Sequence, residues 1–419
     1  MGIVMLPDGW RRTTLGNIGS IKSGSTPARS QHDRYFVNGK WPWVKTMDLT
    51  NSVILKTDEL ITDAALNESS CKIFPAGTVL VAMYGGLKQI GRTGLLQEES
   101  AVNQAISAID VERNQAHPEF ILHWLNGNVE AWKNFAASSR KDPNITRENV
   151  CDFPVILPTL GEQRRIAHIL STWDQAIATT DRLLKNSQKQ MDILLRDLTL
   201  GTHRTTSTPS SWENFTLGEL GRTYSGLSGK KGEDFGSGAK FIPYTNVFKN
   251  NRIDIEDFSL VKISEGENQT RVKSGDIIFT ISSETPNEVG MASVLLDDVD
   301  ELYLNSFCFG YRLNEFTTLL PEYAAFALRA PHIRALMTQL AQGSTRYNIS
   351  KANVMRMKLT LPSITEQKRI TPILNEAHST VKNFRDQLAR LKQEKAILMS
   401  QLLTGKRRVR LPADETASA

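Results

Sequence analysis

The chain has 419 residues, 40% of them hydrophobic, and carries 50 Lys and Arg against 45 Asp and Glu for a net charge of +5. That length suggests two to four domains, and the apolar fraction supports packed cores, which excludes a wholly disordered chain. No apolar run approaches the ~20 residues that span a bilayer, and residues 1–10, with Pro7 and Asp8, lack the apolar core of a signal peptide. The mildly basic balance permits a nucleic-acid partner. Cys71, Cys151 and Cys308 are scattered, odd in number and without a CxxC pair. They read as reduced thiols of an intracellular protein and support neither a disulfide framework nor a zinc knuckle.

In chain order, residues 1–157 read as a β-rich domain. Residues 72–82 predict a turn at Gly77 and then a β-branched strand, with polar, Gly-rich loops at 23–31 and 85–94. A helical stretch is predicted at 118–135. Thr159 and Glu162 form an S/T-x-x-E capping box just after Pro158, opening a long helix assigned to 158–203. Its apolar stripe steps by four and three through Ile166, Leu170, Trp173, Ile177, Leu184, Met191, Leu194 and Leu198, interrupted by Thr180 and Ser187.

The same order then recurs. Trp10, Leu15 and Gly16 return as Trp212, Leu217 and Gly218; Asn144-Ile145-Thr146 as Asn348-Ile349-Ser350; Leu157-Pro158 as Leu361-Pro362. Glu162-Gln163-Arg-Arg-Ile166 returns as Glu366-Gln367-Lys-Arg-Ile370. A period of some two hundred residues is far too long for a solenoid and means two copies of a domain-plus-helix unit. Residues 204–361 form the second β-rich domain, with a strand predicted within 272–280, Gly-rich loops at 226–238 and 282–290, and a helical stretch at 321–340. Ser363 and Glu366 repeat the capping box and open a second helix assigned to 362–410, leaving 411–419 as a tail. The second stripe runs Ile370, Leu374, Ala377, Val381, Phe384, Leu388, Leu391, Leu398 and Leu402, broken at Lys395. Pro372 is expected to bend this helix or delay its start. Lys406 to Arg410 reads as a helix-dipole complement with a nonspecific tail.

A sustained 3.5-residue period favours a coiled coil over two amphipathic helices lying on separate cores. Helices of some 37 residues would be about 55 Å long at 1.5 Å per residue. Antiparallel pairing of the two would give a pseudo-two-fold, with the β-rich domains apart on a stiff spacer, like a symmetric dimer in one chain. The expected fold class is α+β: two β-rich domains joined by two long helices in an antiparallel coiled coil.

Catalytic signatures are missing. The sequence holds no Walker A motif, no GxGxxG after a strand, no HExxH, no GxSxG elbow and no Pro-Pro, which removes the amino-methyltransferase motif. The polar loops instead mix basic and aromatic residues: Tyr84 with Lys88 and Arg92, Ser138-Ser139-Arg140-Lys141, Lys230-Lys231, and Gly343-Ser-Thr-Arg346-Tyr347-Asn348. Lys and Arg neutralise phosphates, and Arg, Asn and Gln can also read base edges.

These residues resemble the specificity subunits of type I restriction–modification systems. Leu157-Pro158-Thr-Leu-Gly-Glu162-Gln163-Arg-Arg-Ile166 and its copy from Leu361 are similar to the LPxxxEQxRI opening of that family's central and distal helices. The segments from Trp10 and Trp212, the ending Leu402-Leu403-Thr404-Gly405-Lys406, and Gly343 to Ser350, similar to GSTxxNIS, belong to the same pattern. The first copy departs from that last motif, reading Ala137-Ser-Ser-Arg-Lys-Asp-Pro-Asn-Ile-Thr146. The resemblance covers the chain to about Arg410. It implies two target-recognition domains, 1–157 and 204–361, each reading half of a split site in double-stranded DNA, with the helices as a ruler for the unread spacer. It further implies a cytoplasmic, prokaryotic host-defence protein without catalysis or cofactor of its own. Two methyltransferase subunits would supply S-adenosylmethionine, and restriction–translocation subunits ATP and Mg. The expected DNA contacts are Arg29, Lys45, Thr46, Lys88, Arg92, Arg140 and Lys141 in the first domain. In the second they are Lys230, Lys231, Thr245, Asn246, Lys249, Arg346 and Lys351. Competing readings are a coiled-coil scaffold with protein-binding end domains and a duplicated nuclease.

Overall fold

The computed structural model describes residues 6–86, 89–136, 144–202 and 212–410. The fold is α+β, and the chain divides into two compact units: residues 1–181 with 386–419, and residues 182–385.

In the first unit, strand Arg11–Thr14 pairs antiparallel with Pro154–Leu157, so the domain's two ends are tied together. Between them lie a five-stranded sheet in the order Gly19–Ser23, Ile106–Val111, Val79–Ala82, Thr93–Leu96, Ser52–Ile54, and a four-stranded sheet in the order Glu59–Ile61, Trp41–Val44, Ser100–Val102, Ile73–Phe74. The predicted strand in 72–82 is present as Val79–Ala82. All four of its residues are buried because alternate side chains enter different cores. Val79 and Val81 join Leu15, Phe120, Trp132 and Phe153, whereas Leu80 and Ala82 join Val44, Leu49 and Leu96.

The second unit repeats the plan. Glu213–Thr216 pairs with Lys358–Leu361. A four-stranded sheet runs Gly221–Ser225, Cys308–Leu313, Ile277–Thr280, Ala292–Val294, and a three-stranded sheet Ser259–Val261, Phe235–Ile242, Tyr303–Leu304. Ile277 and Phe279 face one core and Ile278 another.

The helical stretch expected at 118–135 is two helices, Pro118–Gly127 and Val129–Ala136. That expected at 321–340 is also two, Pro321–Ala327 and Pro331–Gln339. Proline explains the second break: Ala330 is extended (φ −62°, ψ 144°) and Pro331 opens the next helix, as the residue before proline and the first helical position prefer.

The long helices span Leu160–Leu200 and Ile364–Leu403. Thr159 and Glu162 exchange capping bonds of 3.3 and 3.4 Å, and Ser363 Oγ accepts from the Glu366 N–H. The following glutamine is buried and anchors each domain to its helix. Gln163 donates to the Pro158 and Gln115 carbonyls and accepts from the His117 N–H; Gln367 donates to Pro362 and Thr318 and accepts from Leu320. Pro372 does not delay the second helix, which starts at Ile364 and runs through it. The caps fix the start, and Pro372 and Lys368, whose carbonyl loses its helical donor, are both exposed, so water can replace that bond.

None of the sixteen apolar stripe residues named for the coiled coil is exposed. Ile166, Leu170, Met191, Leu198, Ile370, Leu374, Val381, Leu388 and Leu402 are buried, and Trp173, Ile177, Leu184, Leu194, Phe384, Leu391 and Leu398 are half-buried. The helices run antiparallel within each unit. In the first, Ile166 and Leu170 share a core with Leu402, and Asp174 pairs with Lys395, which accounts for the break in the stripe. In the second, Met191 and Leu198 pack with Ile370, Leu374 and Val381. Residues 406–410 are more than a dipole complement: Arg408 pairs with Glu162 at 2.9 Å and Val409 packs on the first core.

Candidate nucleic-acid interface

In each domain three segments converge beside the sheet. In the second, Tyr347–Asn348 pairs with Ser282–Ser283, the Ile281 N–H donates to Phe307, and the Ile349 N–H donates to Ile281. The first repeats this with Met83 N–H to Ala105 and Ile145 N–H to Met83. Glycine is required where the chain crosses this cluster. A Cβ on Gly24 would lie 2.0 Å from the Val102 carbonyl oxygen, and one on Gly226 2.2 Å from that of Asn305.

Arg29 and Lys45 meet at one carboxylate. Arg29 forks onto Glu59 at 2.6 and 3.1 Å while lying over Phe36 and Trp43, and Lys45 reaches Glu59 at 2.8 Å and Asp58 at 3.3 Å. Arg29 above all, with Lys45, holds the Glu59 carboxyl down at about 2. Both cations are therefore already paired, and DNA would have to compete for them. Thr46 starts the turn Thr46–Asp48 and Arg92 precedes strand Thr93–Leu96, both half-buried. Lys88, Arg140 and Lys141 lie outside the described residues.

In the second domain Lys231, Thr245, Lys249 and Arg346 are exposed. Arg346 sits 6.0 Å from the ring of exposed Phe307, and Lys351 donates to Ser225 Oγ at 2.7 Å. Two expected contacts have structural roles instead. Asn246 is buried and its amide donates to the Asp254 and Asp257 carbonyls at 2.8 and 2.7 Å. The Lys230 side chain is only 8% exposed and ties Glu267 to the Lys262 carbonyl. Their sequence context, a polar loop beside a strand, is the same for an inward and an outward side chain. Lys45-Thr46 and Thr245-Asn246 lie in equivalent segments, each after a strand held by parallel pairing, but not at equivalent positions: Trp43 and Val44 match Phe241 and Ile242, so Lys45 and Thr46 correspond to Pro243 and Tyr244.

Arg147 was not singled out from the sequence. It donates to the Ile21 carbonyl at 2.9 Å, on the strand equivalent to that bearing Ser225, as the counterpart of Lys351. The signal existed, because Arg147 follows Ile145-Thr146 as Lys351 follows Ile349-Ser350. Among the described residues no group of three His, Cys, Asp or Glu is placed to hold a metal ion, and no helix is long and apolar enough to cross a membrane.

One module is built twice, and each copy is latched to its own long helix, which defines a duplicated two-domain protein. The family model described as the type I restriction modification DNA specificity domain matches residues 7–186 and 209–393, one match per copy. The chain belongs to that family. It is 22% identical over 417 residues to the type I restriction enzyme MjaVIII specificity subunit of Methanocaldococcus jannaschii, covering 97% of this chain and 94% of that one. It is 21% identical over 426 residues to the EcoBI specificity subunit of Escherichia coli, covering 93% and 84%. Its fold is similar to that of the S subunit of a type I restriction–modification system from M. genitalium, with a TM-score of 0.63 at 16% identity over 96% of this chain and 98% of that chain.

Proposed function

We propose that this chain is the DNA-specificity subunit of a type I restriction–modification assembly. Each β-rich domain reads one half of a bipartite site, and the paired helices set the length of the unread spacer. The observation that carries this reading is the duplication: a DNA-specificity domain matches each copy separately, and each copy gathers the same three loop segments. Exposed Lys231, Lys249 and Arg346 supply the phosphate term, which positions the domain, while side chains at the loop tips supply base readout. The chain itself contributes no catalytic group. Methyltransferase subunits bring S-adenosylmethionine, restriction subunits bring ATP and Mg, and this chain decides where on DNA they act in the cytoplasm of a prokaryote.

The test is methylome sequencing of the host with and without the gene. Loss of one bipartite adenine-methylation motif is expected. An unchanged methylome, with the chain expressed and its complex showing no salt-dependent DNA binding, would overturn the reading. Exchanging residues 1–157 for those of another family member should change one half-site only. One heptad inserted in each long helix should lengthen the spacer and leave both half-sites unchanged.

A further inference from the structure

The two domains share one turn whose backbone is the same and whose tip residue differs. In the first, the Asn103 N–H donates to Val44, the Ile106 N–H to Asn103, the Ala105 N–H to Asn103 Oδ1 (3.2 Å), and the Met83 N–H to Ala105. In the second, the Asn305 N–H donates to Ile242, the Cys308 N–H to Asn305, the Phe307 N–H to Asn305 Oδ1 (2.8 Å), and the Ile281 N–H to Phe307. Four matching bonds make Ala105 and Phe307 the same position. The scaffold is fixed, and only the side chain distinguishes the two copies.

Phe307 has no packing role that explains it. Phe307 is 56% exposed and belongs to none of the three hydrophobic clusters of the second domain. Its backbone, in contrast, is held on both sides of the peptide, so the ring is presented from a rigid turn. The Arg346 guanidinium stands 6.0 Å from the ring, placing a cation beside an apolar surface. A rigid aromatic next to a cation suits a duplex groove, where the cation meets phosphate or a base acceptor and the ring meets an apolar base group.

Resting on the DNA reading above, we propose that Phe307 is a specificity-determining residue of the second domain, making an apolar contact with a thymine methyl in its half-site. Ala105 presents only a methyl group at that position, so the ring contact belongs to one half-site alone. A ring contact of this kind adds affinity without neutralising phosphate and leaves the salt dependence unchanged.

The experiment compares wild type with Phe307→Ala and Phe307→Leu in the full chain. Host methylomes are sequenced, and the purified complex is titrated with its own site carrying deoxyuridine for thymidine, one position at a time. Phe307→Ala should weaken binding roughly tenfold, the scale of one base-pair mismatch, with an unchanged slope of log affinity against log salt. It should relax one thymine position in the second half-site and leave the first half-site intact, while Phe307→Leu should retain part of the preference. Deoxyuridine at that position should weaken wild type and not Phe307→Ala. Affinity and motif unchanged within twofold in Phe307→Ala, or no effect of deoxyuridine anywhere in the half-site, would overturn the proposal. A wild-type complex without a bipartite motif would instead overturn the DNA reading beneath it.

Discussion

Trp10 donates its indole N–H to Glu162 Oε2 at 3.0 Å, and Trp212 donates to Glu366 Oε2 at 3.2 Å. In the first unit the same carboxylate also accepts from the Thr159 hydroxyl and from Arg408. Glu162 is only 2% exposed. One buried carboxylate thus joins the opening of the domain, the start of the first long helix and the segment that follows the second. Burying it is tolerable because its oxygens meet donors on three sides.

Removing Glu162 should therefore cost more than a cap. Glu162→Ala forfeits the capping bonds and leaves the Trp10 N–H without its partner, at roughly 2–4 kcal/mol combined. Trp10→Phe keeps most of the packing and should cost about 1–2 kcal/mol. Arg408→Ala removes a half-exposed partner and should cost less than Glu162→Ala, because the carboxylate keeps its other donors. Urea unfolding of the full chain checks the order. Glu162→Ala within 0.5 kcal/mol of wild type, about the scatter of an ordinary surface substitution, would show that the latch is not stabilising.

The tryptophan and the Glu-Gln pair were legible as repeated motifs, but sequence could not show that residues 152 apart touch. Periodicity was the better guide: every apolar residue of both long stripes avoids the exposed class, because a 3.5-residue repeat leaves one face for burial. Loop chemistry was the poorer guide. Asn246 and Lys230 look like contact residues until their partners are seen, because hydrogen bonds inside a loop depend on how distant segments meet. The equivalence of Ala105 and Phe307 was equally hidden, since it lies in backbone bonds and not in residue identity.

Arg329 carries a second prediction. Its guanidinium donates to four carbonyls, those of Ala292, Val247, Phe248 and Asn250. Burial, with Arg334 nearby, lowers its pKa to about 10, so it remains charged at neutral pH. It pins the end of helix Tyr244–Lys249, which bears Thr245 and Lys249. In the first domain Asn126 donates to the Asn51 carbonyl at 2.8 Å from the corresponding helix. Arg329→Lys keeps the charge but replaces a planar fork with a compact ammonium of three donors. It should cost about 2 kcal/mol, with carbonyls left unpaired, and amides at 244–250 should exchange faster with deuterium. Unchanged protection there would mean that the helix is held by packing alone.

Stability should also fall in mild acid, through His123. This residue is 1% exposed; Nε2 lies 3.1 Å from Ser171 Oγ, and Nδ1 is 3.8 Å from Asp174. Burial first, then Lys395, holds its pKa at about 3. Asp174 would favour the charged ring, but it is paired with Lys395 and burial prevails. Unfolded, His123 titrates near 6.5. Between these values the unfolded chain binds the proton that the folded chain refuses, so stability rises with pH. The contribution is complete above pH ~6.5 and is lost as pH falls toward about 3. At pH 5 the loss from this residue is on the order of 2 kcal/mol. His117, His332 and His378, also lowered mainly by burial, add to the same slope. His123→Phe keeps a ring in the core and removes the proton. Urea unfolding at pH 7 and pH 5 should show a smaller drop for that variant than for wild type. An equal drop in both would show that His123 does not carry the acid sensitivity.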